Sequence, residues 1–288
     1  MLATYYENIS KAINYGRSRI ATPEDYEFHL HNFFEIYFFI SGDVNYFIEK
    51  KVYPLKYGDL LIINNHEIHK PTFRSRSPYE RIVIHFEPEV VRLLSSPDFD
   101  LLNCFIHRPI GEQNKVALSP SQTEEIMRLF YKIDHLENMK PAGWKVLKLT
   151  YFLEILVLVN RAFMNVPLEE GHTNIPEKLA PLLDYIDANL ETDLSLEFLE
   201  NNFYLNRFYL SRLFKKSTGS SIHEYILFKR ISKAKKLLSE GHSVTETCML
   251  SGFSDYSNFI RMFKKTTGIS PGQYSKKYPS YNTSEKGT

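Results

Sequence analysis

The strongest constraint on this chain is a duplication near its C-terminus. YLSRLFKKSTGSSIHEYI (209–226) aligns without gaps on NFIRMFKKTTGISPGQYS (258–275), a shift of 49 residues. Arg212, Phe214, Lys215, Lys216, Thr218, Gly219, Ser221 and Tyr225 match Arg261, Phe263, Lys264, Lys265, Thr267, Gly268, Ser270 and Tyr274. Two copies are too few for a solenoid, so this is a duplicated unit. Each unit has a short helix (196–202 and 244–250), a tight turn (Tyr204-Leu205 and Gly252-Phe253) and a second helix. The second helices begin near Asn206 and Asp255 and end at Gly219 and Gly268, residues suited to a left-handed C-terminal cap. Ser243 and Glu246 form a capping box, as do Ser221 and Glu224 at the start of a connecting helix that runs to Glu240. A short helix, a turn and a basic second helix make a helix-turn-helix.

Helical spacing divides each second helix into two faces. Leu210, Leu213 and Phe214 form an inward set, as do Phe259, Met262 and Phe263. Arg207, Ser211, Arg212 and Lys215 fall outward in the first copy, and Tyr256, Ser257, Arg261 and Lys264 in the second. Arg and Lys on such a face neutralise phosphates, and Arg reaches guanine with two hydrogen bonds. One charged helix is ordinarily a solvated surface. The same basic helix twice, each behind a turn, points to duplex DNA. The net charge of +1 conceals this. Residues 203–278 hold 14 basic and 4 acidic side chains, whereas residues 1–170 hold 19 and 22. The total therefore excludes a uniformly basic chain and not a DNA-binding one.

GFSDYSNFIRMFKKTTGISPGQY (252–274) closely resembles the signature of AraC/XylS-type transcription regulators, and YLSRLFKKSTGSS (209–221) with KRISKAKKLLSE (229–240) resembles the rest of that domain. The resemblance spans about 179–278. It implies two helix-turn-helices entering adjacent major grooves of a double-stranded DNA operator, in a homodimer that responds to a small-molecule effector and has RNA polymerase as a partner, as an activator or a repressor. By position, base contacts fall on Arg207, Phe208, Ser211 and Arg212, with Asn206 opening the helix, and on Tyr256, Ser257, Asn258 and Arg261. Phosphate contacts fall on Lys215, Lys264 and backbone N–H groups at helix starts, including near Ser270. Two departures stand out. Glu200 occupies a position where the family has Ala, and Thr247-Cys248 replaces an Ile-Ala pair.

The N-terminal half reads differently. Residues 20–90 are rich in aromatic and β-branched residues and punctuated by turn signals, which predicts an all-β barrel or sandwich. His29-x-His31-x3-Glu35, with His69 downstream, resembles the metal motifs of cupin barrels, although Asn64 and His66 stand at that family's Pro and Gly positions. Two readings are open. In one, His29, His31, Glu35 and His69 hold a divalent metal that senses or catalyses. In the other, which we expect, there is no metal or other cofactor, and His29, His31, Phe33, Glu35, Tyr37, Tyr46 and His69 line the pocket of a sugar-like or aromatic effector. His85 and His107 fit no such spacing and read as structural. The motif's second half is eroded and no separate catalytic base is evident, so a regulator is expected and a metal-dependent enzyme fused to a DNA-binding domain is the alternative.

The expected architecture is multidomain α+β. A cupin-like β-barrel (1–118) is followed by a helical dimerisation segment (119–164), a linker (165–177), an all-α double helix-turn-helix domain (178–279) with its linker helix, and a tail (280–288). Ser119-Pro120 with Gln122 starts the first helix of the middle segment. The second, about Gly143 to Phe163, is apolar nearly all round. Its partner is either the barrel or a second copy, and in the latter case Leu153 and Leu156 carry the contact. Cys104 and Cys248 have no finger or disulfide pattern, and no signal peptide or membrane span is visible, so a cytoplasmic protein with no membrane partner is expected.

Overall fold

The computed structural model describes residues 12–24, 26–165 and 173–278. Alternation of large side chains builds the N-terminal half. Along strand β2 (Phe34–Ser41), Phe34, Ile36 and Phe38 face one way, and Glu35, Tyr37 and Phe39 the other. One sheet runs β1 (Ile13–Ile20), β7 (Tyr79–Phe86), β2, β5 (Leu60–Ile63), β8 (Lys115–Val116). The second runs β6 (His69–Phe73), β3 (Val44–Ile48), β4 (Lys51–Pro54), β9 (Thr173–Asn174). Neighbouring strands are antiparallel throughout. Strand β1 starts before the expected strand region, and its polar INYGRSRI sequence fits an edge strand largely open to solvent.

Register places the pocket residues. Glu35 on β2 lies opposite His85 on β7, and His29 bridges to His69 at the start of β6. Residues 50 apart in the chain thus become neighbours.

The odd-numbered face of β2 looks into an interior holding Tyr37, Phe39, Tyr46 and Tyr79. Its even-numbered face packs beneath helices α1 (Pro88–Arg92), α2 (Asn103–Ile106), α3 (Pro120–Met139) and α4 (Trp144–Met164). Ser119 and Gln122 form the expected capping box of α3. Helix α4 buries Phe152, Ile155, Leu156 and Val159 among Phe38, Phe86 and Phe105. One side of its apolar girth therefore serves the barrel, while Val146 and Leu147 stay exposed. Leu156 is wholly buried there, which corrects its assignment to contact between copies; Leu153 is half-buried.

The C-terminal half is helical: α5 (Ala180–Ala188), α6 (Leu196–Phe203), α7 (Arg207–Thr218), α8 (Ile222–Ser239), α9 (Val244–Leu250), α10 (Tyr256–Thr267) and α11 (Pro271–Lys277). Helix α8 packs against α7 on one side and α9, α10 and α11 on the other. Its core is continuous with the barrel, because Phe28, Leu30, Phe47 and Ile68 join the cluster of Tyr225, Ile226 and Phe214. Within the segment expected as linker, residues 166–172 lie outside the described residues, and Thr173–Asn174 pair with β4. The expected tail 280–288 also lies outside them.

Candidate DNA interface and effector pocket

Both second helices have the two faces that their spacing required. Leu210 and Phe214 in α7, and Phe259 and Phe263 in α10, are fully buried. Arg207, Phe208, Arg212 and Lys215 are exposed on α7, as are Tyr256, Ser257, Arg261 and Lys264 on α10, while Ser211 and Asn258 are half-buried. Phe208 stays 66 % exposed although the Arg207 guanidinium lies over its ring at 5.3 Å. The Asn206 side-chain oxygen accepts from the N–H groups of Phe208 and Tyr209, so this residue caps α7. Arg261 donates from Nη2 to Asn258 Oδ1 at 2.9 Å, which aligns its guanidinium along the helix.

The departures from the family pattern have local explanations. Glu200 turns its carboxylate out of the packing and accepts the N–H of Arg207 at 3.2 Å, so it ties α6 to the start of α7. Thr247 and Cys248 are both buried in α9, and the Cys248 thiol reaches Phe253 O at 3.6 Å. Each turn uses a left-handed residue, Tyr204 (φ 53°) and Gly252 (φ 87°). At 252 only glycine fits, because a Cβ there would lie 1.9 Å from Leu190 O.

Inside the barrel, a cavity of about 110 Å³ is lined by His29, His31, Glu35, Tyr37, Tyr46 and His69. Sequence reasoning missed Tyr26, Pro71, Tyr79, Arg81, Val83 and His85, which line it too. Phe33 does not; it lines a separate cavity beside Tyr15 and Trp144, which corrects its expected place. Phe33 precedes β2, where parity no longer governs direction. His85 is also corrected from structural to pocket residue: its Nε2 lies 2.9 Å from Glu35 Oε2. Its spacing along the chain carried no signal, and only the β2–β7 pairing brings it in. His107 is exposed near Asp100.

Glu35 is the centre of the pocket. The Nε2 atoms of His31 and His69 lie 2.8 and 3.5 Å from the same Oε2. Burial would raise the Glu35 carboxyl, but the three imidazoles hold it well below the usual carboxylate range. Burial pushes His31 down to about 4, partly offset by Glu35. Burial and the neighbouring His69 bring His29 down to about 4 as well. Burial lowers His69 too, and Glu35 more than offsets it, so this imidazole stands raised. At the far wall Tyr37 and Tyr79 share a hydrogen bond of 2.6 Å, and Arg81 donates to Tyr79 at 3.1 Å.

The pocket is wired to the helical domain. Lys235 of α8 is fully buried and donates to the backbone carbonyls of His31, at 2.8 Å, and Asn65. Lys70, next to His69, donates to Gly219 O at 3.0 Å and Ser220 Oγ at 2.9 Å, at the C-terminal end of α7. Asn32 donates to Thr267 O at 3.3 Å, at the end of α10. Lys229 of α8 pairs at 2.6 Å with the buried Glu49. The barrel thus grips both second helices by their C-terminal ends and leaves the exposed basic faces outside the grip.

A cupin-like β-sheet domain fused to a helix-turn-helix domain defines a transcription regulator that carries its own sensor. Residues 15–133 match the model of the AraC-like ligand binding domain, and residues 199–277 that of a helix-turn-helix domain. The chain belongs to the AraC family of transcription regulators. It is 21% identical to the transcriptional activator RhaR of Mannheimia succiniciproducens, over 96% of this chain and 95% of that one. It is 27% identical to the activator RhaS of Salmonella paratyphi A over 54% of each chain, so that match spans about half of either protein. These relatives are named as regulators rather than enzymes. Among solved structures, ToxT of Vibrio cholerae aligns over 92% of this chain and 98% of its own at 17% identity, with a TM-score of 0.38. A Listeria innocua protein aligns over 36% of this chain and 98% of its own at 34% identity, with a TM-score of 0.34.

Proposed function

We propose that this chain is a homodimeric activator whose helices α7 and α10 read adjacent major grooves of a double-stranded DNA operator, under control of a small effector held in the barrel, and that it works through RNA polymerase. The observation that carries the reading is the exposed basic second helix, present twice and joined by α8, whose end carbonyls are held by residues neighbouring the pocket. Activation is the role printed for RhaR and RhaS. Base-edge contacts are assigned to Arg207, Phe208, Ser211, Arg212, Tyr256, Ser257, Asn258 and Arg261, and phosphate contacts to Lys215 and Lys264.

The effector class read from the aromatic and polar pocket lining is a sugar-like or aromatic metabolite. A cavity of about 110 Å³ holds a few water molecules, and metabolite sites ordinarily measure about 300–1,000 Å³. A sugar ring or a fused aromatic does not enter this conformation, so its binding requires the barrel to open around it.

The test is binding to duplexes selected from a random-sequence pool. Arg261→Ala is expected to weaken the selected site by about 1–3 kcal/mol and to relax preference at one base position. Affinity should fall steeply with salt as phosphate counterions are released. Unchanged specificity in Arg261→Ala and a flat salt response would remove the recognition-helix reading.

A further inference from the structure

We propose that Arg81 is the anchor for a carboxylate, so that the effector held in the barrel is a ring-bearing carboxylic acid rather than a neutral sugar or arene. This rests on the effector-responsive reading above and names the group by which that effector is recognised.

The first argument is an unused donor edge. A guanidinium carries five N–H groups, and its Nε–Nη2 edge presents two of them in parallel. Other arginines of this chain use that edge. Arg108 donates from Nε to Cys104 O at 3.0 Å and from Nη2 to Glu67 Oε2 at 2.6 Å. Arg230 donates from Nε to Leu190 O at 2.9 Å and from Nη2 to Thr192 O at 3.0 Å. Arg17 sets both atoms on Glu80, at 2.9 and 2.8 Å. Arg81 donates from Nη1, to the Tyr79 hydroxyl at 3.1 Å. Among the described residues, its Nε and Nη2 have no hydrogen-bond partner and no carboxylate pairs with it.

The second argument is what surrounds that edge. Arg81 lies on β7 opposite Phe39 of β2, on the face that turns into the barrel. Its guanidinium stands over the rings of Tyr79 and Tyr26, at 5.2 and 5.8 Å. Aromatic faces attract the cation and leave its in-plane N–H groups to an anion. A half-buried charge without a counter-ion is unfavourable, and an arriving carboxylate supplies one while accepting both parallel N–H groups. Tyr37 and Tyr79 add a further donor. Their two hydroxyls carry two hydrogens, and the 2.6 Å bond between them uses one. The other is left for the same carboxylate.

The third argument is the division of the pocket. It already contains a carboxylate, Glu35, but three imidazoles crowd its Oε2 at 2.8, 2.9 and 3.5 Å. Glu35 is thus engaged by histidines, and the counter-ion of Arg81 has to come from outside the chain. Tyr26, Tyr46, Pro71 and Val83 give the lining its apolar surface, which suits a ring joined to the carboxylate. The cavity of about 110 Å³ has room for the carboxyl group, and the ring enters as the barrel opens.

Tyr26 connects the anchor to the DNA-binding half. It lines the barrel pocket and also a groove of about 480 Å³ that faces Phe228 of α8 and Met262 of α10. A ligand on Arg81 therefore touches a side chain that α8 and α10 also face.

The experiment titrates the full chain calorimetrically. D-Galacturonate and D-glucuronate serve as sugar acids, benzoate and salicylate as aromatic acids, and D-galactose and benzyl alcohol as neutral counterparts. We expect acids of one kind to bind at one site per chain, at least about 10-fold more tightly than their neutral counterpart. Arg81→Met keeps the stem and is expected to weaken that acid at least about 10-fold. Arg81→Lys keeps the charge without the parallel edge, so it is expected to restore only part of the affinity. Circular dichroism and melting show whether each variant folds, and Arg81→Lys carries the comparison if Arg81→Met does not. The kind of acid that binds tells a sugar acid from an aromatic one. Neutral counterparts that bind as tightly as the acids, acid affinity untouched in a folded Arg81 variant, or no binding of any acid overturns the anchor. Gel shifts on a duplex selected from a random pool, with and without the bound acid, test the reading beneath it. DNA affinity that ignores a bound acid overturns the acid as effector. Failure to bind any selected duplex overturns the regulator reading, while the calorimetry still decides the anchor.

Discussion

Lys235 of α8 donates its buried ammonium to the main-chain carbonyl of His31 at 2.8 Å. One end of that contact belongs to the helix joining the two helix-turn-helix units, and the other to the residue whose ring meets Glu35. Pocket and DNA-binding domain therefore share a direct hydrogen bond.

Replacing Lys235 by Met keeps the stem and removes the donor. The carbonyls of His31 and Asn65 then lose a buried partner, at about 1–3 kcal/mol each when unsatisfied, partly offset because no charge is buried. Urea unfolding is expected to change from one transition to two, with the barrel and the helical domain melting separately. A single unshifted transition would show that the other contacts, such as Lys70 with Ser220, suffice.

Glu67 and Arg108 form a two-pronged pair at 2.6 Å with both side chains inaccessible to solvent, and Glu67 also accepts the N–H groups of Asn64 and Gly111. Glu67→Ala strands a buried guanidinium and is expected to cost about 3–5 kcal/mol. Chemical denaturation measures this directly, and a loss below about 1 kcal/mol would mean that water reaches Arg108.

Leu156 is packed in the barrel–helix core. Leu156→Ala is expected to lower stability by about 2–5 kcal/mol through the cavity it leaves. Sedimentation of the folded variant should match that of the native chain. A weaker dimer at unchanged stability would return this residue to the surface between copies.

His66 carries a pH dependence. Burial, with Lys235 and Lys236 nearby, pushes its imidazole down to about 3. The unfolded chain then binds the proton more readily than the folded one. The stabilisation is complete above about 6.5 and is lost as pH falls from there toward 3, by up to about 1.4 kcal/mol per pH unit for this one group. Unfolding measured from pH 7.5 to 5 should show the decline, and His66→Gln should reduce its slope. An identical slope in the variant would assign the decline to other histidines.

Much of the helical domain is legible along the chain because its determinants are local. Ser221 with Glu224, and Ser243 with Glu246, sit three residues apart and make the capping boxes that their spacing called for. Gly219 and Gly268 end the second helices in left-handed geometry. The inward and outward faces of α7 and α10 follow from a period of 3.6 residues, which needs no knowledge of the rest of the fold. The same holds for the alternation that turns Glu35 and Tyr37 into the barrel.

The duplicated helix-turn-helix, its basic faces and the strand character of the N-terminal half are thus written in local order along the chain. Tertiary structure alone decided who meets whom. Strand register brought His85 to Glu35 across 50 residues, and the bend before β2 left Phe33 in another cavity. Packing gave the apolar side of α4 to the barrel. The docking of α8 set Lys235 on His31 across 204 residues. Periodic patterns are written by neighbours a few residues apart and survive in one dimension. A pocket and its coupling are contacts between distant segments, and their partners exist only once the sheets have chosen a register and the domains a face.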